Sequence, residues 1–204
     1  MKNIRDEAVV WAQLVAFLGI WVGILYFTKT PLQINVEAIK KLPEVVTIYT
    51  ILYFVFRTWG WRLRIFRGWL VPFPDLTGTW EGTLATTWAN PETGAVPPPI
   101  DVRLVIRNYF DRISCVLYTA ESMSWSTAAT LYSNDTDAIK RLSYTYINQP
   151  KASVRGRSAI SNGAAVFRIV EAEIRRLEGQ YWTDRKTTGD IALTFKRKST
   201  KELS

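Results

Sequence analysis

The chain has no histidine in 204 residues and a single cysteine, Cys115. Without imidazole, the commonest general base, the Ser/His and Cys/His nucleophile pairs and the most frequent transition-metal ligand are all missing. A lone thiol rules out an intrachain disulfide and fits a reducing compartment. Glycine motifs of the phosphate-loop or dinucleotide type are absent too, so an ATPase is not indicated. Carboxylates are scarce, with 18 Asp and Glu against 26 Lys and Arg. The excess is uneven: residues 1–74 carry nine basic and four acidic side chains, residues 75–204 seventeen and fourteen. Basic residues beside an apolar stretch are a topology signal and a contact with anionic lipid. The small excess in the rest does not call for direct binding of DNA or RNA.

What the chain does have is apolar length near its start. From Ala8 to Phe27 there is no charge, and Gln13 is the one strongly polar side chain. At ~1.5 Å per residue this run covers the ~30 Å hydrocarbon core of a bilayer. Lys2 and Arg5 give it the basic start of a secretion signal, but no small-residue cleavage site follows in Tyr26-Phe27-Thr28-Lys29-Thr30, so retention is expected. Val45 to Phe56 is a shorter uncharged run. Pro43 suits a first helical turn, and Glu44 and Arg57 sit where they reach headgroups, which extends the usable span to Trp61. Trp59, Trp61 and Trp69 interleave with Arg57, Arg62, Arg64 and Arg67, an interfacial girdle. The expectation is a two-helix transmembrane anchor in residues 1–74, with spans at about 8–28 and 43–61. The balance of Lys and Arg across the spans places both termini in the cytoplasm and the loop Thr28 to Leu42 outside. Gly19 and Gly23 form a small-xxx-small face for helix association.

After Pro72-Phe73-Pro74 the apolar period changes to two. Ile100, Val102, Leu104 and Ile106 alternate with Asp101, Arg103, Val105 and Arg107, and the segments around Leu142, Tyr144, Tyr146 and Ile191, Leu193, Phe195 repeat the pattern. Further strands are expected at about 77–88, 112–120, 124–133, 164–171 and 174–183. They are separated by turn signals at Asn90-Pro91, Asn134-Asp135, Asn162-Gly163 and Thr188-Gly189-Asp190, and Asp135 to Lys140 has room for one helical turn. About eight short antiparallel strands must close or split into two sheets to hide their edges. An eight-stranded β-barrel over residues 75–204 is the first expectation and a β-sandwich the alternative.

Candidate ligand residues follow from strand parity and loop composition. Tyr144 and Tyr146 face inward by alternation, and Trp125 shares parity with Leu131. In 174–183 one of two sets points inside: Leu177, Gly179 and Tyr181, or Arg176, Glu178, Gln180 and Trp182. The second would give the barrel a polar interior row, costly without a ligand. Arg155 and Arg157 lie in the turn-rich Lys151-Ala152-Ser153-Val154-Arg155-Gly156-Arg157-Ser158, suited to gripping phosphate. For the aromatics the competing role is core packing, and for the loop it is solvation. Aromatic faces with arginines describe a site for flat anions such as nucleotides. If catalysis exists, Asp184, Asp190 or Glu171 would supply the acid or base. No metal site and no cofactor are indicated.

The entry of the first strand, Leu76-Thr77-Gly78-Thr79-Trp80-Glu81-Gly82, is similar to the Gly-x-Trp opening of lipocalins and fatty-acid-binding proteins, in which Gly78 and Trp80 would plug one barrel end. That likeness supports a second functional reading, a membrane-tethered carrier or sensor of an apolar ligand. Combined with the two-helix anchor, the same motif resembles the two-transmembrane β-barrel effectors of bacterial CBASS antiphage defence. The resemblance implies a receptor for a cyclic dinucleotide made by a CD-NTase after infection, and no catalysis. It also implies ligand-driven homo-oligomerisation through the helices, disruption of the inner membrane and death of the infected cell. It supplies no individual ligand residues.

Overall fold

The computed structural model describes residues 6–33, 35–133 and 139–200. It divides into two compact units, Ile4–Pro72 and Phe73 onward. Lys2, Arg5, the Asn134-Asp135 turn signal and most of the expected helical turn after it lie outside the described residues.

The first unit is a helical hairpin. Helix α1, Asp6–Phe27, is ~33 Å long at ~1.5 Å per residue. Its stretch Glu7–Phe27 is, among the described residues, the one helix long and apolar enough to cross a bilayer. Val10, Leu14, Val15, Leu18 and Val22 stay exposed, as lipid-facing side chains would be. A one-turn helix α2, Val36–Lys40, is capped by Asn35 and falls within the expected loop. Helix α3, Leu42–Thr58, has Pro43 in its first turn and is ~25 Å long. It stops three residues before the expected end at Trp61, because Gly60–Arg62 tightens into a 3-10 turn. Thr47, Thr50 and Thr58 donate to the carbonyls of Pro43, Val46 and Phe54, so these hydroxyls are satisfied within the helix. The hairpin is held on one side of α1: Phe17 meets Tyr49 edge-on at 5.9 Å, and Trp21 Nε1 donates to the Ala38 carbonyl at 3.2 Å. At ~100° per residue, Gly19 and Gly23 lie on the opposite side. A Cβ built at either would meet nothing within 4 Å.

The second unit is a closed barrel of eight strands in meander order: β1 Gly78–Thr86, β2 Ile100–Asn108, β3 Ile113–Tyr118, β4 Ser122–Ser133, β5 Lys140–Pro150, β6 Ser161–Val170, β7 Arg176–Thr183 and β8 Thr188–Arg197. Each pairs antiparallel with the next, and β8 returns to β1, with Trp80 opposite Phe195 and Gly82 opposite Leu193. Closure leaves no edge strand, and the sandwich alternative falls.

The core fills the half of the barrel where the chain enters. Trp80, Leu104, Leu142, Phe167 and Leu177 are fully buried there, with Phe73 joining from the preceding segment. Trp80 Nε1 donates to the Leu76 carbonyl at 3.0 Å, and its ring meets Phe195 edge-on at 5.2 Å. The Arg175 guanidinium lies 3.9 Å from the Phe195 ring centre and donates to the Asp75 carbonyl at 2.8 Å. Gly78 has φ +142°, and a side chain there would collide with the Arg197 carbonyl. The Gly-x-Trp motif thus seals this end.

Two expected breaks are not breaks. Asn162-Gly163 lies inside β6, and Thr188-Gly189-Asp190 opens β8. Gly163 is opposite Tyr146 and Gly189 opposite Tyr181. A Cβ at Gly163 would sit 2.5 Å from the Tyr146 ring, and one at Gly189 2.6 Å from the Tyr181 ring. Both glycines are strand positions kept bare so that a cross-strand ring can lie over them.

Candidate functional site

Strand parity brings three tyrosines to the other half of the barrel. Along β5, Leu142, Tyr144 and Tyr146 point inward. Tyr144 stacks on Phe167 at 6.1 Å, and its ring centre is 5.9 Å from that of Tyr146. On β7 the inward set is Leu177, Gly179 and Tyr181, with Tyr181 lining the interior. Arg176 and Trp182 therefore lie outside the barrel, Arg176 beside Glu178 at 3.7 Å and Trp182 nearly half exposed. The polar interior row does not exist, because Leu177 has to fill the core and drags its whole parity set inward.

Trp125 is also on the outside, against the parity expectation. In β4, Ser126 pairs with Tyr146 and Ala128 with Thr145, so Thr127 is an extra, bulged residue. A one-residue bulge exchanges the faces on its two sides. Leu131 points inward, yet across the bulge Ser124 takes the inward face and Trp125 the outer one.

The inward tyrosines border a cavity of about 870 Å³ open at the end away from the Trp80 plug, within the ~300–1,000 Å³ usual for small-molecule sites. Leu84, Leu117 and Ile191 form apolar walls, and Trp88, Pro97 and Pro98 come from the β1–β2 loop. Ser124, Ser161 and Tyr144 are 5%, 3% and 4% exposed and line this space, as do Tyr146 and Tyr181. Among the described residues, none of these five hydroxyls has a hydrogen-bond partner in the protein. Five hydroxyls that are not engaged within the protein and that open onto one cavity give it donors and acceptors for a polar occupant.

The rim carries opposite charges from four separate segments. Arg157 comes from the β5–β6 loop, Arg185 from the β7–β8 hairpin, Glu121 from the β3–β4 turn, and Asp101 from β2. Arg157 is ion-paired with Glu121, and Arg185 Nη1 donates to the Ser158 hydroxyl at 3.0 Å. Arg155, by contrast, is not part of the lining: its Nε donates to the Pro150 carbonyl at 3.3 Å and ties the loop to its own strand. None of the three candidate acid/base carboxylates lines the cavity, and each is engaged with a different partner. Asp184 accepts from Asn162 N at 2.9 Å, Glu171 pairs with Lys140 at 2.6 Å, and Asp190 accepts from Gln180 at 3.3 Å.

Burial pushes the Tyr144 phenol well above its ordinary range, helped by neighbouring Cys115 and Tyr146. Burial likewise raises Tyr146 and the Cys115 thiol. Tyr144 and Tyr146 stay protonated as neutral donors, and the thiol is inert. The backbone N–H of Asn162 holds the Asp184 carboxyl below the usual range, so it stays ionised at neutral pH. With Tyr144 and Tyr146 pushed up, that carboxyl pushed down and histidine absent, ligand affinity is expected to stay constant between about pH 6 and 8. Titration calorimetry at three pH values in that window checks this, and a change of tenfold would contradict it.

Of the sequence candidates, the cavity gathers Tyr144, Tyr146, Tyr181 and Arg157. Sequence reasoning missed Arg185, Glu121, Ser161 and Ser124. Ser122, Ser124 and Ser126 do alternate in period two, a hydroxyl ladder that signals a polar interior stretch. Nothing along the chain marks Arg185, which reaches the rim only because the β7–β8 hairpin turns there.

A family model described as Cap15, cyclic dinucleotide receptor domain, matches residues 71–196, the whole barrel but its last residue. CD-NTase-associated protein 15 from Staphylococcus schleiferi is 30% identical over 181 residues, spanning 85% of this chain and 91% of that protein. That share is larger than the barrel alone occupies, so the likeness extends into the helical unit. A meander barrel sealed by Gly78 and Trp80, with a hydroxyl-bearing cavity at its far end and an apolar N-terminal helix, belongs with these proteins: the chain is a member of the Cap15 effector family of CBASS.

Proposed function

We propose that the barrel, residues 75–204, senses one cyclic dinucleotide, and that residues 1–74 convert binding into damage to the bacterial inner membrane. The observation that carries this reading is the group of hydroxyls, unengaged within the protein, that open onto a cavity whose rim holds Arg157 and Arg185. Tyr144, Tyr146 and Tyr181 offer faces and hydroxyls to the bases, and the two arginines meet the phosphodiesters as charge-assisted donors. An apolar cargo would leave those hydroxyls without partners, which counts against the carrier reading. The family's description as a cyclic dinucleotide receptor points the same way.

In this proposal both helices span the bilayer, the termini and barrel are cytoplasmic, and Gly19 and Gly23 lead self-association into homo-oligomers. Their faces are open and directed away from α3, which allows a second chain's helix to approach closely. A ligand that binds the associated state more tightly shifts that equilibrium by its differential affinity, with no chemical step.

The test is thermal unfolding of the full-length chain in nanodiscs with each cyclic dinucleotide of the four common bases, in 3′,3′, 2′,3′ and 3′,2′ linkage. At a hundredfold excess over Kd one of them should add about 2.7 kcal/mol of stability, a clear melting shift. No shift with any of them would sink the reading. Gly19→Leu with Gly23→Leu is expected to keep the ligand-induced melting shift while losing ligand-induced oligomers on native gels and toxicity in cells. Retained oligomers would remove the glycine face from the proposal.

A further inference from the structure

The rim is not an open pair of cations. Arg157 is already occupied by a carboxylate of the protein itself, that of Glu121, and both side chains are more than half exposed at the mouth. The contact joins two segments that are 36 residues apart, and it is backed by a second tie, because Lys151 N donates to the Glu121 carbonyl at 2.8 Å. The turn that carries Glu121 is itself fixed. Thr119 Oγ1 accepts from Ser122 N at 2.9 Å and from Glu121 N at 3.2 Å. Glu121 is thus held against the β5–β6 loop by backbone bonds, and its carboxylate has a defined place beside Arg157. Arg185 is held differently, by a neutral hydroxyl from the same loop, that of Ser158.

We infer that Glu121 is a resident counter-anion that must be displaced from Arg157 before the cavity binds its ligand tightly, and that it sets the ligand concentration at which the barrel responds. The inference rests on the cyclic-dinucleotide reading above. An incoming phosphodiester meets Arg185 with no ion pair to break, although the Asp184 carboxylate lies near that cation, whereas at Arg157 it has to replace a carboxylate and then lie beside it. Like charges brought together at a partly desolvated rim oppose binding, whereas an exposed ion pair contributes little to fold stability. The arrangement favours ligands with two anionic groups far enough apart to reach both arginines. A ligand with one anion is satisfied by Arg185 and leaves the Glu121–Arg157 contact closed. Release of the contact leaves the backbone bond from Lys151 to Glu121 in place, so the Arg157 side chain is freed while the loop stays tied to the turn.

The experiment is calorimetric titration of the full-length chain in phosphatidylcholine nanodiscs, at low salt, with the same set of cyclic dinucleotides. Glu121→Gln keeps shape and removes charge, and is expected to tighten binding about tenfold, a gain that shrinks as salt is added. In the Arg157→Gln background the same change should produce no gain, because there is no cation left to release. Equal or weaker binding by Glu121→Gln, or a full gain in the double variant, overturns the gate. If the unaltered chain binds none of the set but Glu121→Gln binds one, the gate is supported in its strongest form. If neither binds any, the cyclic-dinucleotide reading fails and the gate falls with it. If the unaltered chain binds and Glu121→Gln is no tighter, the gate alone fails.

Discussion

Replacing Trp80 by alanine is expected to destabilise the barrel by about 3–5 kcal/mol, the range for a buried Trp or Phe truncation. Its side chain is fully buried, donates to the Leu76 carbonyl, meets Phe195 edge-on and lies under Arg175. Truncation removes all of these contacts and leaves a cavity at the sealed end. For a domain of this size the change corresponds to a fall in melting temperature on the order of 10–20 °C. Thermal unfolding of the full-length chain followed by near-ultraviolet circular dichroism measures it. Trp80→Phe keeps an aromatic plug but loses the indole donor, and should fall between the two. A melting temperature unchanged in Trp80→Ala would mean that the Gly-x-Trp end does not hold the barrel shut.

The second large effect concerns affinity. Tyr146→Ala is expected to weaken cyclic-dinucleotide binding by roughly 5- to 150-fold, since stacking of a base on an aromatic ring contributes ~1–3 kcal/mol. Tyr146→Phe keeps the ring and removes the hydroxyl, so it should cost only several-fold. Trp182→Ala is the informative contrast. Trp182 follows Tyr181 directly in β7 and is the larger aromatic, but it stands on the outer face, and its removal should leave affinity unchanged. Titration calorimetry on the three variants decides the matter. If Trp182→Ala weakened binding as much as Tyr146→Ala, the ligand would not lie in the barrel interior.

The plug and the cavity are expected to respond independently. Trp80 and Phe195 occupy the end where the chain enters, and the unpartnered hydroxyls occupy the other half, with the layer of Leu142, Phe167 and Leu177 between them. Mutations well separated in space, without shared partners, usually add.

Much of this was present along the chain. Period-two alternation marked β2, β5 and β8 because one face of each strand meets an apolar interior and the other meets water. The apolar run from Ala8 to Phe27 declared a membrane-length helix by composition alone. The Gly-x-Trp motif marked the sealed end, and the missing histidine removed most catalytic and metal chemistry. Parity also placed Tyr144 and Tyr146 inside. The limits of sequence reading lie where one residue's role depends on another strand. Trp125 was misplaced because the bulge at Thr127 reverses faces, and a bulge is a mismatch between two strands that neither displays alone. In β7 both parity sets carry an aromatic, so only the need to bury Leu177 chose between Tyr181 and Trp182. Gly163 and Gly189 read as turns because their partners, Tyr146 and Tyr181, are brought opposite them by pairing. Glu121, Arg157 and Arg185 meet because three connections end at the same rim. Local patterning determined which segments are strands and helices, since that rests on short-range contrasts of solvation. The tertiary structure alone decided which side chains share the cavity, because register, bulges and loop convergence are relations between segments distant in the chain.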